Sequence, residues 1–577
     1  MIKLCRFLKN YKKQVILGPT FKLIESIFEL IVPMVMANII DFGITNKNYN
    51  YIVRMGGLIV LLGFVGLVSA LICQYFAAHA SQGFGTDIRN ALFEHINSLS
   101  FTQLDEISPS SLTTRMTNDI NQLQLAVAMF IRLVVRSPIL VVGSIIMSMI
   151  IDLKISIIFV VSSILIAISL FIIIRYTVPA FKRIQKKLDL ISLISKENLD
   201  GTRVIRAFSR QQDEVYKFNS ACNEFYNECI NTGKISALLN PITYIIINIS
   251  IILIVWFGAN RVYSGNMMTG QIIALVNYMT QILLSLIIIA NLVIIFTRAS
   301  ASAYRVNQVF SISPTIIDIQ EKVTAQNKMY KIQFINVSFS YSDSPNNAIN
   351  DISFSVLPGE TVGIIGGTGS GKSTLINLIP RFYETSCGKI LIDGIDVKDY
   401  PINQLRSKFG IVPQKALLFS GTIADNIRWG YPEASQDDLI RALDVSKALD
   451  FVDKLPKKIN SKVEAGGRNF SGGQRQRLTI ARALVGKPEI LILDDSSSAL
   501  DAATDASLRE SIRLYSKDMT TIIISQRVKS IKHANKIIVL DSGTIVGIGT
   551  HDELIDSCDV YKEICSSQSI SGKEATP

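Results

Sequence analysis

The stretch TVGIIGGTGSGKSTLINLIP, residues 361–380, carries an apolar run into a glycine-rich loop and out into a second apolar pattern. The run TVGII is short, uncharged and rich in β-branched residues, which predicts a buried strand. STLINLIP places its apolar residues at helical spacing and predicts a helix. Between them, Gly366 to Thr374 fits G-x-x-x-x-G-K-[ST], with Gly371, Lys372 and Ser373 at the fixed end. Small residues there (Gly366, Gly367, Thr368, Gly369 and Ser370) let backbone N–H groups turn inward on phosphate oxygens, and the helix start adds positive potential. Lys372 is placed to reach the outer phosphates of a nucleotide, and the hydroxyls of Ser373 and Thr374 stand at the loop's exit, Ser373 where Mg²⁺ would be ligated.

A second stretch, ILILDDSSSALD at 490–501, runs four apolar residues into two adjacent acids, Asp494 and Asp495. A carboxylate at the end of a buried strand is costly without a cation or a hydrogen-bond partner. With a phosphate loop in the same chain, Asp494 is the acid expected to hold Mg²⁺ beside it. Short β-type runs precede the loop (YKIQFINVSFSY, ISFSVL), and strands alternate with helical patterns after it. That alternation predicts an α/β domain over 321–577, entered through the polar linker SPTIIDIQEKVTAQNK.

The N-terminal part is of another kind. Apolar residues make up 49% of the 577-residue chain and charged residues only 18%. That charge fraction lies below the ~25% of an ordinary soluble domain, and mean hydropathy is +0.34. The excess sits in the first 320 residues, in stretches long enough to span ~30 Å of hydrocarbon. They fall near 15–45, 56–80, 128–150, 154–176, 238–262 and 270–297, predicting a six-helix membrane domain over 1–320. The segments 81–127 and 177–237 are polar yet helical in pattern. They predict extensions beyond the bilayer, each reversing through a short turn near 104–114 and 208–218.

The net charge of +11 fits basic loops on the cytoplasmic side of a membrane, and no nucleic-acid partner is expected. Lys and Arg crowd the N-terminal segment and 175–210, which places both termini and both long extensions in the cytoplasm. The basic start MIKLCRFLKNYKKQ lacks a cleavable apolar core and reads as a cytoplasmic start. Seven cysteines with no Cys-x-x-Cys pair argue against a disulfide framework or a zinc site. Four charges fall inside the predicted spans: Glu25 and Glu29 on the first, Arg132 and Arg136 on the third. Such residues face a bundle interior or a water-filled cavity. They contact a substrate or a proton, or they neutralise one another or lie nearer the membrane interface than these bounds place them.

FSGGQRQRLTIARAL, residues 470–484, resembles the signature sequence of ABC transporter ATPase domains. It lies between the phosphate loop and the Asp494 strand, in that family's order. Tyr341, in FSY, resembles the aromatic that stacks on adenine. Gln414, in IVPQ, resembles the glutamine that touches Mg²⁺ and senses the membrane domain. SALD, ending at Asp501, resembles the D-loop, and Gln526, in IIISQR, occupies the switch-histidine position. Six spans with long cytoplasmic extensions resemble the exporter subfamily, and the likeness covers essentially the whole chain. It implies head-to-tail pairing of two ATPase domains, so that Ser471, Gly472, Gly473 and Gln474 hold ATP bound by a partner. It also implies that the two cytoplasmic turns transmit closure to the helices.

Two positions depart from that family's active sites. Asp495 stands where the general-base Glu belongs, and the missing methylene shortens its reach by roughly 1 Å, a misplacement that can cost ~10²-fold in rate. Gln526 can donate a hydrogen bond to phosphate but cannot become cationic. The pattern resembles one half of heterodimeric bacterial multidrug exporters. It implies a degenerate ATP site here and a partner half-transporter that carries Glu and His with an altered signature. A homodimer with two slow sites is the alternative. Before the signature, EAGGRNF departs from a Gly-Glu-Arg-Gly run, with Ala465 where the Glu would align, and Phe470 replaces a Leu. The implied cargo is hydrophobic or amphipathic small molecules moved out through the lipid bilayer. Lipid flipping, peptide export and ATP sensing without transport remain open on this fold.

Overall fold

The computed structural model describes residues 2–316, 318–319, 329–341, 346–496, 500–516 and 518–570. The chain divides into two units: residues 1–98 with 108–312, and residues 99–107 with 313–577.

The first unit holds six helices long and apolar enough to cross a membrane: Lys3–Ile44, Tyr49–Ser98, Pro109–Ile151, Leu153–Asp200, Gln211–Tyr263 and Thr269–Phe310. At 42 to 53 residues each is about twice the ~20 needed to span hydrocarbon. Large apolar side chains of the second helix, among them Val60, Leu61, Phe64 and Leu71, point outward. The interior mixes apolar side chains such as Phe159, Ile166 and Ile254 with small hydroxyls, including Ser26, Ser144, Ser162 and Ser250. Apolar outward faces and small residues at the contacts are what lipid as solvent and close helix packing favour. Ser162 and Ser250 share a hydrogen bond of 2.6 Å between the fourth and fifth helices. Buried Tyr278 of the sixth donates to the Leu30 carbonyl of the first at 2.7 Å. A Cβ at Gly143 would lie 2.2 Å from Leu30 Cδ1, so any larger residue there has to turn the Leu30 side chain aside.

Both reversals lie earlier than the sequence pattern suggests. The first is the short helix Phe101–Ile107, closed by Ser108 at φ +64°. The second runs from Gly201 through the helix Thr202–Ala207 to Ser209 at φ +55°. Asp213 and Glu214 fall in the first turn of the helix starting at Gln211, where acids favour helix initiation, so 211–218 is helical.

The second unit is built on two sheets. A four-stranded antiparallel sheet runs Ile349–Val356, Ile332–Phe339, Cys387–Ile392, Ile395–Asp396. A six-stranded sheet runs Thr544–Gly549, Lys536–Asp541, Thr361–Gly366, Thr520–Ile524, Ile490–Asp494, Phe409–Val412. In the latter only the Lys536–Asp541 and Thr544–Gly549 pair is antiparallel. One apolar core joins the two sheets and the helix Lys372–Leu378. A separate helical core gathers Leu418, Ile427, Leu439, Val463, Phe470 and Leu478. Phe470 is buried there, edge-on to Phe451 at 6.2 Å.

The register sets the site. Ile364 lies beside Ile524, Ile524 beside Asp494, and Val412 beside Leu493. Four parallel strands therefore end level, and their C-terminal loops emerge along one edge, where α/β folds place ligands.

Candidate functional site

Those four loops and one strand end enclose a cavity of about 370 Å³. Its walls include Thr368 to Thr374 of the phosphate loop, Tyr341, Gln414, Asp494, Asp495 and Gln526. Every acid and amide expected around the phosphates is thus brought to one place. Gly366 ends its strand so close to its neighbour that a Cβ would sit 2.1 Å from the Leu540 carbonyl oxygen. Gly371 adopts φ +94°, a conformation costly to any side chain. A Cβ at Gly367 would meet nothing within 4 Å, so neither close packing nor a positive φ requires glycine there.

Lys372 is buried and donates to the carbonyls of Gly366 (3.0 Å) and Gly367 (2.5 Å) and to Ser370 Oγ (3.2 Å). Its burial pulls the ammonium below the usual lysine range, against the opposing pull of Asp494 and Asp495. Burial pushes the Asp494 carboxyl up, as does the charge of Asp495, while a hydrogen bond with Ser373 and the charge of Lys372 hold it down. Asp495 is likewise raised by burial, opposed by Arg527, a hydrogen bond with Gln414, and Lys372. The two adjacent, partly buried carboxylates stay raised despite Lys372 and Arg527, so their negative charge is not fully compensated. The Ser373 hydroxyl, the Asp494 carboxylate and the Gln414 amide oxygen form a set of hard oxygen donors. Both features fit a small divalent cation such as Mg²⁺. Gln414 bonds to Asp495 rather than standing alone beside Asp494, a link between the two expected roles that the sequence does not reveal.

Tyr341 bonds through its hydroxyl to Thr374 Oγ1 at 3.1 Å. Its ring lies edge-on to Phe339 at 4.9 Å and to Tyr383 at 5.4 Å. Tyr383 in turn donates to Asp105 of the helix Phe101–Ile107. Tyr383 carries no motif of its own; the aromatic pair in RFYET, just after the phosphate-loop helix, is its one signal in the sequence.

The signature residues do not line this cavity. Ser471 caps the helix Gly472–Leu484: its hydroxyl accepts from the Gln474 N–H at 3.3 Å, and Gln474 Oε1 accepts from the Ser471 N–H at 2.9 Å. With Gly472 and Gly473 between them, they leave a small-residue, exposed helix N-terminus of positive potential. Before it, Gly466 and Gly467 both adopt positive φ, and Asn469 bridges Lys462 and Glu464. Asp501 caps the helix Ala502–Tyr515 through the Thr504 N–H at 3.0 Å. The D-loop residues Ser498 and Ala499 lie outside the described residues.

In the helical unit, Arg136 pairs with Glu29 at 2.9 Å, but Glu25 pairs with Lys22 at 2.7 Å and not with Arg132. A π-turn at Phe130–Val134 separates the two arginines by a wider turn than an α-helix has. Arg132 has no ion-pair partner among the described residues. No disulfide joins any of the seven cysteines.

A phosphate loop, strand-end acids and a signature helix, fused to six membrane-length helices, define a half-transporter whose membrane and ATPase regions share one chain. Residues 15–286 match the ABC transporter transmembrane region, and residues 349–498 match the ABC transporter family. The chain belongs to the ABC transporter family. It is 37% identical over 569 residues to the uncharacterized ABC transporter ATP-binding protein YfiB of Bacillus subtilis, covering 98% of each chain. It is 30% identical over 587 residues to the "Putative multidrug export ATP-binding/permease protein YgaD" of the same organism, covering 99% of each. A solved bacterial Atm1-family ABC exporter with ATP bound has the same fold, with a TM-score of 0.78, 22% identity and 98% of each chain covered.

Proposed function

We propose that the chain exports hydrophobic or amphipathic compounds across the cell membrane as one half of a heterodimer. In this reading its own phosphate loop binds ATP but hydrolyses it slowly, and its Ser471–Gln474 segment completes the partner's competent site. The observation that carries the reading is the joint presence of Asp495 and Gln526 in a cavity whose binding parts, Lys372, Ser373 and Tyr341, are intact. The signature helix starts away from that cavity, which supports a role toward a second chain's nucleotide.

Within the site, Tyr341 stacks on the base and Lys372 leaves the loop carbonyls for the outer phosphates. Ser373, Asp494 and Gln414 hold Mg²⁺, which when bound neutralises phosphate charge. Asp495 is left to orient the attacking water from a carboxylate one methylene short, and Gln526 to donate to the terminal phosphate without adding positive charge. Both slow the step in which a proton leaves water. Both termini and the ATPase unit face the cytoplasm, in keeping with the basic loops.

An open groove of about 930 Å³ in the helical unit supports the cargo class. Val134, Leu292, Val293 and Phe296 wall it, with Tyr304 and Arg305 also among its lining residues. The test is ATP-dependent dye accumulation in inside-out vesicles carrying this chain with and without a second half-transporter. Accumulation only with both chains supports the heterodimeric exporter. Accumulation with this chain alone supports the homodimer, and nucleotide binding without flux of any cargo supports an ATP sensor.

A further inference from the structure

The last helix, Asp559–Ile570, carries Tyr561, Ile564, Cys565 and Gln568 at i, i+3, i+4 and i+7, one face of a helix. Tyr561 is fully buried, and Ile564 and Cys565 pack with it against the core of Ile365, Val528 and Ile531. Gln568 continues this apolar stripe with an amide, which has to find polar partners. Both of its ends do. Gln568 Nε2 donates to the Gln526 carbonyl at 2.7 Å, and Gln568 Oε1 accepts from the Val528 N–H at 2.9 Å. Between them, the Arg527 N–H is taken by Ser525 Oγ at 3.0 Å. Backbone bonds hold the turn at Ser525, to the Ile364 carbonyl, and at the Arg527 carbonyl, from the Ser530 N–H; of its three side-chain bonds, two come from the C-terminal helix. The Gln526 side chain lines the nucleotide cavity, yet no hydrogen bond among the described residues holds it. The position of its backbone therefore decides where that side chain enters the cavity.

We propose that Gln568 is a positioning residue for Gln526. By clamping the peptide groups on either side of Arg527, it aims the Gln526 amide at the terminal phosphate of bound ATP. The proposal rests on the reading of Gln526 as the terminal-phosphate contact. Gln568 itself touches no nucleotide. The role needs a side chain that both donates and accepts at this reach: glutamate keeps the acceptor for Val528 and loses the donor for Gln526, and leucine keeps only the bulk.

The test compares MgATP and MgADP affinities of the full-length chain in lipid nanodiscs, because ADP lacks the phosphate in question. Q526A and Q568L are each expected to lower the preference for ATP over ADP by about 10-fold or more, the worth of one hydrogen bond to a charged group. Q568E is expected to fall between Q568L and the native chain. The double variant Q526A/Q568L is expected to lose no more than Q526A alone, since both act through one contact. Equal weakening of ATP and ADP by Q568L, or losses that add in the double variant, would make Gln568 a merely structural residue and overturn the proposal. A native preference in Q568L beside a lowered one in Q526A would overturn the proposal and leave the Gln526 reading standing. A native preference in Q526A would overturn both. Should Q568L fail to fold, Q568E carries the same comparison with Q526A.

Discussion

Tyr383 donates its phenolic hydrogen to Asp105 at 2.7 Å, and its ring lies edge-on to Tyr341 at 5.4 Å. Phe101 packs on Phe382 at 4.9 Å and on Tyr383 at 6.1 Å. Two aromatic residues thus stand between the helix Phe101–Ile107 and Thr374 of the phosphate loop. Burial, then Asp105, pushes the Tyr383 phenol well above its ordinary range, so it donates at every physiological pH. Y383F keeps the rings and removes the bond, which contributes about 1 kcal/mol because Asp105 is exposed. We expect ATP affinity within twofold of native and transport reduced several-fold, read by nucleotide titration and vesicle flux on the same preparation. Equal loss of both would show that the tyrosine serves only the nucleotide.

Asp495 sits at φ +44°, a region that Asp enters more readily than most side chains. D495E lengthens the carboxylate toward the water and adds a backbone cost of up to about 1 kcal/mol. In the two-chain complex we expect hydrolysis at this site to rise, by up to ~10²-fold if reach is the limit. D495E together with Q526H is expected to exceed either change alone. No rise in the double variant would place the limit in the partner's signature.

The raised carboxyls of Asp494 and Asp495 make the site sensitive to acid. Their folded-state values lie above the ordinary aspartate value of 3.8, so the folded chain binds more protons than the unfolded one just above that pH. Stability of the metal-free protein therefore rises as pH falls through this interval, and the burden of two partly buried anions is fully present above it. Mg²⁺ relieves the same burden and competes with those protons. Thermal unfolding should show a gain on adding Mg²⁺ at neutral pH that shrinks as pH falls into the interval. D494N should abolish most of that gain.

Asp119, almost wholly buried, accepts from Ser302 Oγ at 2.9 Å and from Arg305 Nε at 2.8 Å. It ties the third helix to the sixth. D119A should cost about 2–4 kcal/mol, at the lower end for a broken buried pair because Arg305 is half exposed. The change is read as a lower unfolding temperature in detergent. D119A/R305A should cost less than the two single changes added together, whereas full additivity would mean the pair does not interact.

Much of this was legible from spacing alone. The phosphate loop and Asp494 follow from strand–loop–helix order, because level parallel strands deliver their loops to one edge. The spans follow from length and hydropathy. That Glu25 pairs with Lys22 and not with an arginine could not be read from the sequence, because a π-turn inside an apolar helix leaves no compositional trace. Gln568 was equally invisible: a lone amide in a helical stripe gains meaning only when its partners, 40 residues away in sequence, are seen. The reversals at Phe101–Ile107 and Gly201–Ser209 were misplaced by a few residues because polar helix and polar turn share one composition.

The central claim is that this chain grips ATP and barely splits it. The most direct measurement is ATP hydrolysis by the purified full-length chain in nanodiscs, with ATP binding measured on the same sample. The account predicts clear binding, abolished in K372A, with turnover close to background until a second half-transporter with Glu and His at the matching positions is added. Brisk hydrolysis by this chain alone, lost in K372A, would contradict it.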